Sequence, residues 1–460
     1  MNEKQKVFTK KAEIKAFDKN HRKIINHNIS KYNTAVIKGK EQFSNLEVAR
    51  QRVSFLKHRA INNLENYLKE FEYNFVKNGG KVIWAHNTEE ATEEILKIFK
   101  NNNARMAVKS KSMATEEIEL NHVLEQNKIE SVETDLGEYI VQIAGEKPYH
   151  IITPAMHKSK EDIARLFHEK FNTPPGSTPE ELTAYVRQLL REKFTGADIG
   201  VSGANFIIAD IGAIALTENE GNALMTVSFP KIHIVIAGID KIIPSVKDLA
   251  LLWPVLASHG TGQNITVYNS IVSSPKKENE IDGPDEMYVV LLDNGRTNLL
   301  AQKKQKSALT CIRCGACLNA CPVYRNIGGH TYQTVYSGPI GSVITPYMSG
   351  LKDYKHLSFA SSLCGKCTEV CPSAIKIHKL LLYNRNDAVN KKMAGLVDKT
   401  VMFGWRTIML NRWILDKTDY RIKNAVIRMF FKYSWGSRRD VPVVKPRSFN
   451  RMWKDKKGIK

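Results

Sequence analysis

Seven cysteines occupy two short stretches of this chain, at Cys311, Cys314, Cys317 and Cys321 and at Cys364, Cys367 and Cys371. The first 310 residues and the last 89 contain none. A disulfide-stabilised secreted protein scatters its cysteines through the fold, whereas this clustering points to a metal. The first motif reads C-x₂-C-x₂-C-x₃-C-P and closes on Pro322. That is the ligand spacing of bacterial ferredoxin-type [4Fe–4S] clusters. Two-residue gaps let one tight loop place three thiolates on three irons of a cube. The fourth cysteine, followed by proline, ligates the other cluster.

The second motif, Cys364-Gly-Lys-Cys367-Thr-Glu-Val-Cys371-Pro372, is the same pattern without its first cysteine. Counting back three residues from Cys364 reaches Ser361. Crossed ligation gives cluster one Cys311, Cys314, Cys317 and Cys371. Cluster two receives Cys321, Cys364 and Cys367, with its fourth corner open to Ser361, Ser362, water or a partner's residue, or vacant as in [3Fe–4S]. Structural zinc prefers four ligands in C-x₂-C pairs and suits seven cysteines poorly. The cofactors expected are therefore two [4Fe–4S] clusters, the second with this reservation about its type. The glycine-rich segment 328–341, GGHTYQTVYSGPIG, reads either as a wrap whose N–H groups donate to cluster sulfurs or as an ordinary loop.

These motifs need a scaffold. The chain has 460 residues, enough for two or three domains, with 42% hydrophobic and 25% charged residues. No apolar run reaches the roughly 18 residues of a membrane span, and MNEKQKVFTKKAEIK has no apolar core of signal type. A cytoplasmic location is expected. Residues 1–45 read as a loosely ordered basic arm, and apolar positions recur at helical spacing from Glu47 to Val76. Strands are expected at 81–85, 106–108, 131–134, 149–153, 232–239 and 287–295, with helices at 88–100, 114–127, 159–171, 180–194 and 246–258 between them. Asn87 and Glu90 form a capping-box pair. Strands alternating with helices imply an α/β sheet covered on both faces. The cysteine-bearing stretch has few strand-like runs and reads as helical. The boundaries expected are an N-terminal helical arm over 1–69, an α/β domain over 70–300, a helical ferredoxin domain over 301–385 and a basic helical tail over 386–460.

Several polar residues in the α/β part lie at apparent strand ends, where such sheets bind ligands. Lys109-Ser110-Lys111-Ser112 reads as a carboxylate- or phosphate-binding loop, or as a solvated basic one. Glu138, placed in a turn after Asp135 and Gly137, and Glu220 read as ligand contacts or turn formers. Asn205 and Asp210 are similar, Asp210 as an Asx-type turn before Gly212. His150 and His157, flanking Thr153-Pro154, have a base for hydroxyl deprotonation as the alternative to a structural role. No G-x-G-x-x-G follows a strand, so a nicotinamide or flavin cofactor has no support.

The formal charge is +21. From Lys376 onward 22 Lys and Arg face six Asp, so +16 of it sits in the last 85 residues. Trp405, Trp413, Trp435 and Trp453 are interleaved there with Arg406, Arg412, Arg428, Arg438, Arg439 and Arg451. The tail reads as a docking element for a protein, with peripheral membrane contact or a solvated face as alternatives. Nucleic acid is not the expected partner.

CIRCGACLNACPVYR (311–325), YSGPIG (336–341), SSLCGKCTEVCP (361–372), TDLGEYIVQIAG (134–145) and GANFIIADIGAIALTENEGN (203–222) together resemble the iron–sulfur protein family of the bacterial lactate-utilisation system. The resemblance spans nearly the whole chain. It implies an α/β lactate-utilisation domain similar to the sugar-phosphate isomerase and CoA transferase fold, whose glutamate nucleophile would correspond to Glu220. It implies that a serine at 361 is a family feature. It also implies electron transfer in the oxidation of L-lactate to pyruvate with two partner proteins, one cysteine-rich and one with a related α/β domain. The electron acceptor is not implied. The rival readings are a self-contained hydroxy-acid dehydrogenase using an open iron corner and a cluster-based redox sensor.

Overall fold

A computed structural model describes residues 2–393, 395–411, 413, 417–435 and 440–458. The chain separates into two compact units, Met1–Ala388 and Val389–Lys460.

The first unit is built on ten strands: β1 (Lys81–Ala85), β2 (Met106–Lys109), β3 (Glu130–Glu133), β4 (Ile199–Ser202), β5 (Phe206–Ile208), β6 (Ala213–Glu218), β7 (Ile232–Gly238), β8 (Ile242–Ile243), β9 (Tyr268–Val272) and β10 (Glu286–Leu292). Six of them form a parallel sheet in the order β1-β10-β7-β4-β2-β3. The other four form a mixed sheet in the order β8-β5-β6-β9. The fold is mixed α/β with a parallel core.

Side chains alternate faces along a strand, and the sequence of the central strands shows why both faces are covered. Ile234, Ile236, Val290 and Leu292 pack with Ile95, Phe99 and Leu124. Their neighbours Val235, Ala237, Val289 and Leu291 join a second core with Phe71 and Phe75. That second core continues into the cysteine-bearing region through Leu318, Tyr324, Ile344 and Leu381.

The N-terminal residues are not loosely ordered. They form two helices, Glu3–Phe17 and Lys19–Lys40, with Asn2 and Asp18 as N-caps. Phe8, Ile25 and Ile29 are buried in the shared core. Two further helices, Leu46–Asn62 and Leu64–Lys77, replace the single expected run. The helix expected over 114–127 is split at Glu119, which adopts a left-handed φ of 51°. The segment 149–153 is not a strand. His150 Nδ1 accepts from the N–H groups of Ile152 and Thr153 at 3.1 and 3.3 Å, which folds it into a turn. At the 88–101 helix Asn87 caps Glu90 N–H, while the Glu90 carboxylate accepts from His86 N–H instead of completing the box on Asn87.

The second unit carries helices Leu396–Leu410, Tyr420–Trp435 and Phe449–Lys457. Trp405, Trp413 and Trp453 are exposed on it. Arg412, Arg438 and Arg439 lie outside the described residues. Among the described residues no helix is long and apolar enough to cross a membrane.

Candidate functional site

The two cysteine loops share one local geometry. Arg313, two residues after Cys311, has φ +60°, and Leu363, two residues after Ser361, has φ +55°. Gly315 and Gly365 follow at φ +76° and +83°, a conformation glycine adopts without strain. The turn points Arg313 N–H at Cys311 Sγ at 3.4 Å. In the second loop Leu363 N–H points at Ser361 Oγ at 3.1 Å. Ser361 therefore stands in its loop as Cys311 stands in the first. Arg385 holds that loop by donating to the carbonyls of Ser358 and Ser361 at 2.9 and 3.0 Å.

Short helices Ala316–Ala320 and Lys366–Glu369 carry Cys317 and Cys367 inward. Cys314, Cys317, Cys321, Cys367 and Cys371 are buried, and Cys364 is exposed. The thiols fall into two groups. Cys314, Cys317 and Cys371 each sit within electrostatic reach of Cys311. Cys321 lies within reach of Cys364, and Cys367 within reach of both. Burial, then the neighbouring cysteines, pushes Cys367 up to about 11 and Cys371 up to about 12. Burial likewise holds Cys317 well above the usual thiol range and raises Cys314 and Cys321.

Such thiols lose their protons only to a metal, which deprotonates a coordinating thiol outright. The donor set and its backbone N–H groups fit iron–sulfur clusters. Ile340 N–H faces Cys317, Tyr324 N–H donates to Cys321 Sγ at 3.5 Å, and the N–H groups of Ile375 and Ser373 face Cys371. Donors of this kind favour the reduced, more negative state. Ile340 comes from the 328–341 segment, so part of that segment does line the cysteines.

A cavity of about 370 Å³ opens beside the first loop. It lies beyond the C-terminal ends of β2, β4 and β7, the usual ligand crevice of a parallel sheet. Ser110, Lys111, Ser112, Asn205 and Glu220 of the sequence-derived candidates all line it, together with Asp135, Glu218, Lys241, Ile312 and Arg313. Lys111 Nζ donates to Asp135 and to the Ile152 carbonyl, both at 3.1 Å. Asn205 accepts from Thr217 N–H at 3.0 Å, and Ser112 caps the following helix. Glu220 accepts from Leu136 N–H at 3.1 Å. Burial, with Asp135 nearby, raises its carboxyl, and burial also raises Glu218.

Other candidates lie elsewhere. Lys109 is fully buried and paired with Glu133 at 2.7 Å and Glu116 at 3.3 Å. Glu138 is not in a turn: it is buried in the helix Leu136–Ile143, which Asp135 caps. Burial, then Glu133, raises its carboxyl well above the usual range. Asp210 lies in the turn before Gly212, which Gly212 N–H closes on the Ala209 carbonyl at 3.3 Å, while its carboxylate accepts from Val246 N–H at 3.0 Å instead of forming an Asx-type turn. His150 is lowered to about 3 by burial. His157 is lowered to about 4 by burial while bonding Glu146 at 2.6 Å and stacking on Tyr149. Neither histidine lines this cavity.

Sequence reasoning missed the charged knot that joins cavity and cysteine loop. Asp240, just past β7, accepts from Arg296 Nε at 2.6 Å and from Arg313 Nη2 at 3.2 Å. Arg296 also forks onto both oxygens of Glu117 at 2.8 Å. Gly238 makes room for it, since a Cβ there would stand 2.3 Å from Arg296 Nε. Lys57 Nζ donates to the carbonyls of Asp240 and Ile242 at 2.7 and 3.1 Å. Arg313 lies over the Tyr336 ring at 4.5 Å. The one available signal was Arg313 itself, a cation between two cluster ligands.

A family model described as the LUD domain matches residues 68–292, and one described as a 4Fe-4S dicluster domain matches residues 307–375. Lactate utilization protein B of Bacillus subtilis (strain 168) is 44% identical over 371 residues, covering 80% of this chain and 77% of that protein. The protein of the same name from Oceanobacillus iheyensis is 40% identical over 437 residues, covering 91% and 90%. The crystal structure of a DUF162 family protein from Deinococcus radiodurans aligns with a TM-score of 0.29 at 15% identity, over 50% of this chain and 98% of that one.

Proposed function

We propose that this chain, which belongs to the lactate utilization protein B family, is the electron-transfer subunit of a multi-protein assembly oxidising L-lactate to pyruvate. It is an iron–sulfur protein of lactate utilisation. The observation that carries the finer reading is the grouping of seven cysteines from two loops into two sets inside one packed unit. In this reading Cys311, Cys314, Cys317 and Cys371 hold cluster one. Cys321, Cys364 and Cys367 hold cluster two, with Ser361 at the fourth position. When bound, the clusters supply one-electron acceptance and donation. Cys314, Cys317 and Cys371 would hold cluster one from buried positions and Cys364 would hold cluster two at the surface, with backbone N–H groups facing the thiols. A relay with one buried and one exposed end follows. The partners are a cysteine-rich protein and a second protein with a related α/β domain, and the setting is the cytoplasm.

The cavity against the first cysteine loop favours a second reading, a chain with its own substrate site. Anaerobic EPR of the purified chain separates the two. A dithionite-reduced sample shows the reducible clusters. If L-lactate alone changes the signals, the chain carries its own oxidation site. If only dithionite does, lactate oxidation requires the partners. Absence of any reducible cluster refutes both.

A further inference from the structure

The cavity beside the first loop has cations that its own carboxylates do not use. Arg313 is 8% exposed, and its Nε and Nη1 have no hydrogen-bond partner. Lys241 lines the same cavity and makes no hydrogen bond or ion pair among the described residues. Around Asp240 the cations Lys57, Lys241, Arg296 and Arg313 face the carboxylates of Asp240 and Glu117 and the Cys311 thiol. Buried donors without acceptors are costly and mark the place of a missing partner. A second set of groups in the cavity, Glu218, Glu220 and Asp135, offers acceptors.

We propose that this cavity is a binding site for a small 2-hydroxy- or 2-oxo-carboxylate, whose carboxylate lies between Arg313 and Lys241. Its substrate class rests on the lactate-utilisation reading above, but its existence rests on the unpaired cations alone. The unpartnered Arg313 N–H groups fit an anion, and the carboxylates fit a ligand that also carries a hydroxyl. Because Arg313 N–H donates to Cys311 Sγ, an occupant of the cavity touches the residue that touches cluster one. The competing use of these cations is to balance the charge of cluster one itself, since Cys311 lies within electrostatic reach of both Arg313 and Lys241.

The test is calorimetry on the full chain with its clusters reconstituted anaerobically, using L-lactate, pyruvate and inorganic phosphate as probes. Lactate or pyruvate binds one per chain, more tightly than phosphate. Lys241→Gln and Arg313→Gln each weaken it about tenfold or more, with iron content and the dithionite-reduced EPR signal retained in Lys241→Gln. Arg313→Gln touches the cluster loop and is expected to lose part of its iron; Lys241→Gln removes no side-chain hydrogen bond and decides the matter alone. Carboxylate affinity unchanged in Lys241→Gln, or no binding to the loaded wild type, overturns the proposal. Tighter binding of phosphate overturns the ligand class. A shifted cluster potential in Lys241→Gln with unchanged affinity assigns the cations to the cluster and also overturns it. Clusters that load and reduce without carboxylate binding leave the relay reading standing. Carboxylate binding by a chain that cannot load clusters does the reverse.

Discussion

Replacing Asp240 by asparagine removes the anion that ties the cysteine loop to the sheet. Its carboxylate accepts from Arg296 Nε at 2.6 Å and from Arg313 Nη2 at 3.2 Å, all three side chains being nearly inaccessible. Asparagine keeps the shape but leaves two buried guanidiniums facing an uncharged group. Breaking a buried pair by neutralising one partner costs about 3–5 kcal/mol. A single charge pair about 4 Å apart gives a similar figure, about 4 kcal/mol at an effective dielectric of about 20. Glu117 still holds Arg296, which puts the expected loss nearer the lower bound, about 3 kcal/mol. Denaturant unfolding of the cluster-loaded protein measures it. Burial acts to raise the Asp240 carboxyl, but Arg296 and Arg313 outweigh burial and hold it far below its ordinary 3.8. A depressed carboxyl contributes stability above its unfolded value, and that contribution fades as pH falls below 3.8. The gap between wild type and Asp240→Asn should therefore close in acid. A loss under about 1 kcal/mol at neutral pH, or a gap that does not close, refutes the assigned charge pairing.

Cys317→Ser is expected to remove cluster one, lowering bound iron by about half, while far-UV circular dichroism shows the α/β sheet intact; full iron retention contradicts the ligand assignment. Glu138→Gln should stabilise the protein at neutral pH. Burial, then Glu133, raises the Glu138 carboxyl, so the wild type loses stability as pH rises from the ordinary 4.5 through the raised folded value. The gain should be about 1 kcal/mol or more and should vanish near pH 4, as thermal melts across pH would show.

The strands most legible in the sequence were those buried on both faces. IHIVIAGI and MYVVLL are continuous apolar runs because alternate residues feed two cores, Ile234 and Ile236 on one side and Val235 and Ala237 on the other. YHIIT has the same composition, yet its backbone N–H groups bond the His150 ring, a side-chain acceptor no periodicity registers. The N-terminal arm misled because few of its side chains are apolar, yet Phe8, Ile25 and Ile29 are buried in the core and anchor it there. Within the candidate site, spacing alone led to the expected grouping of the cysteines, because each ligand motif is read from neighbouring residues. The charged knot was illegible because Lys57, Glu117, Asp240, Arg296 and Arg313 meet only through the tertiary fold. Lys109 and Lys111 show the same limit at close range: two residues apart, one is sealed against Glu133 and the other lines the cavity.

Ser361 is where the local and the tertiary arguments meet. Its Oγ accepts from Leu363 N–H at 3.1 Å with Leu363 at φ +55°, and Cys311 Sγ accepts from Arg313 N–H at 3.4 Å with Arg313 at φ +60°. The loop therefore keeps the ligand conformation although the thiol is gone. Its shape does not depend on the hydroxyl, because Arg385 grips the backbone at Ser358 and Ser361. A thiol introduced there would take the place in the second loop that Cys311 holds in the first. Ser361→Cys is thus expected to complete four-thiolate ligation of cluster two. The added negative charge should lower that cluster's potential, and iron should survive exposure to air longer than in the wild type. Ser361→Ala separates the roles of the native hydroxyl: a changed EPR signal makes the serine oxygen a ligand, and an unchanged one leaves the corner to solvent or a partner. If Ser361→Cys alters neither potential nor iron retention, the corner of cluster two lies elsewhere and the equivalence of the two loops is only one of backbone shape.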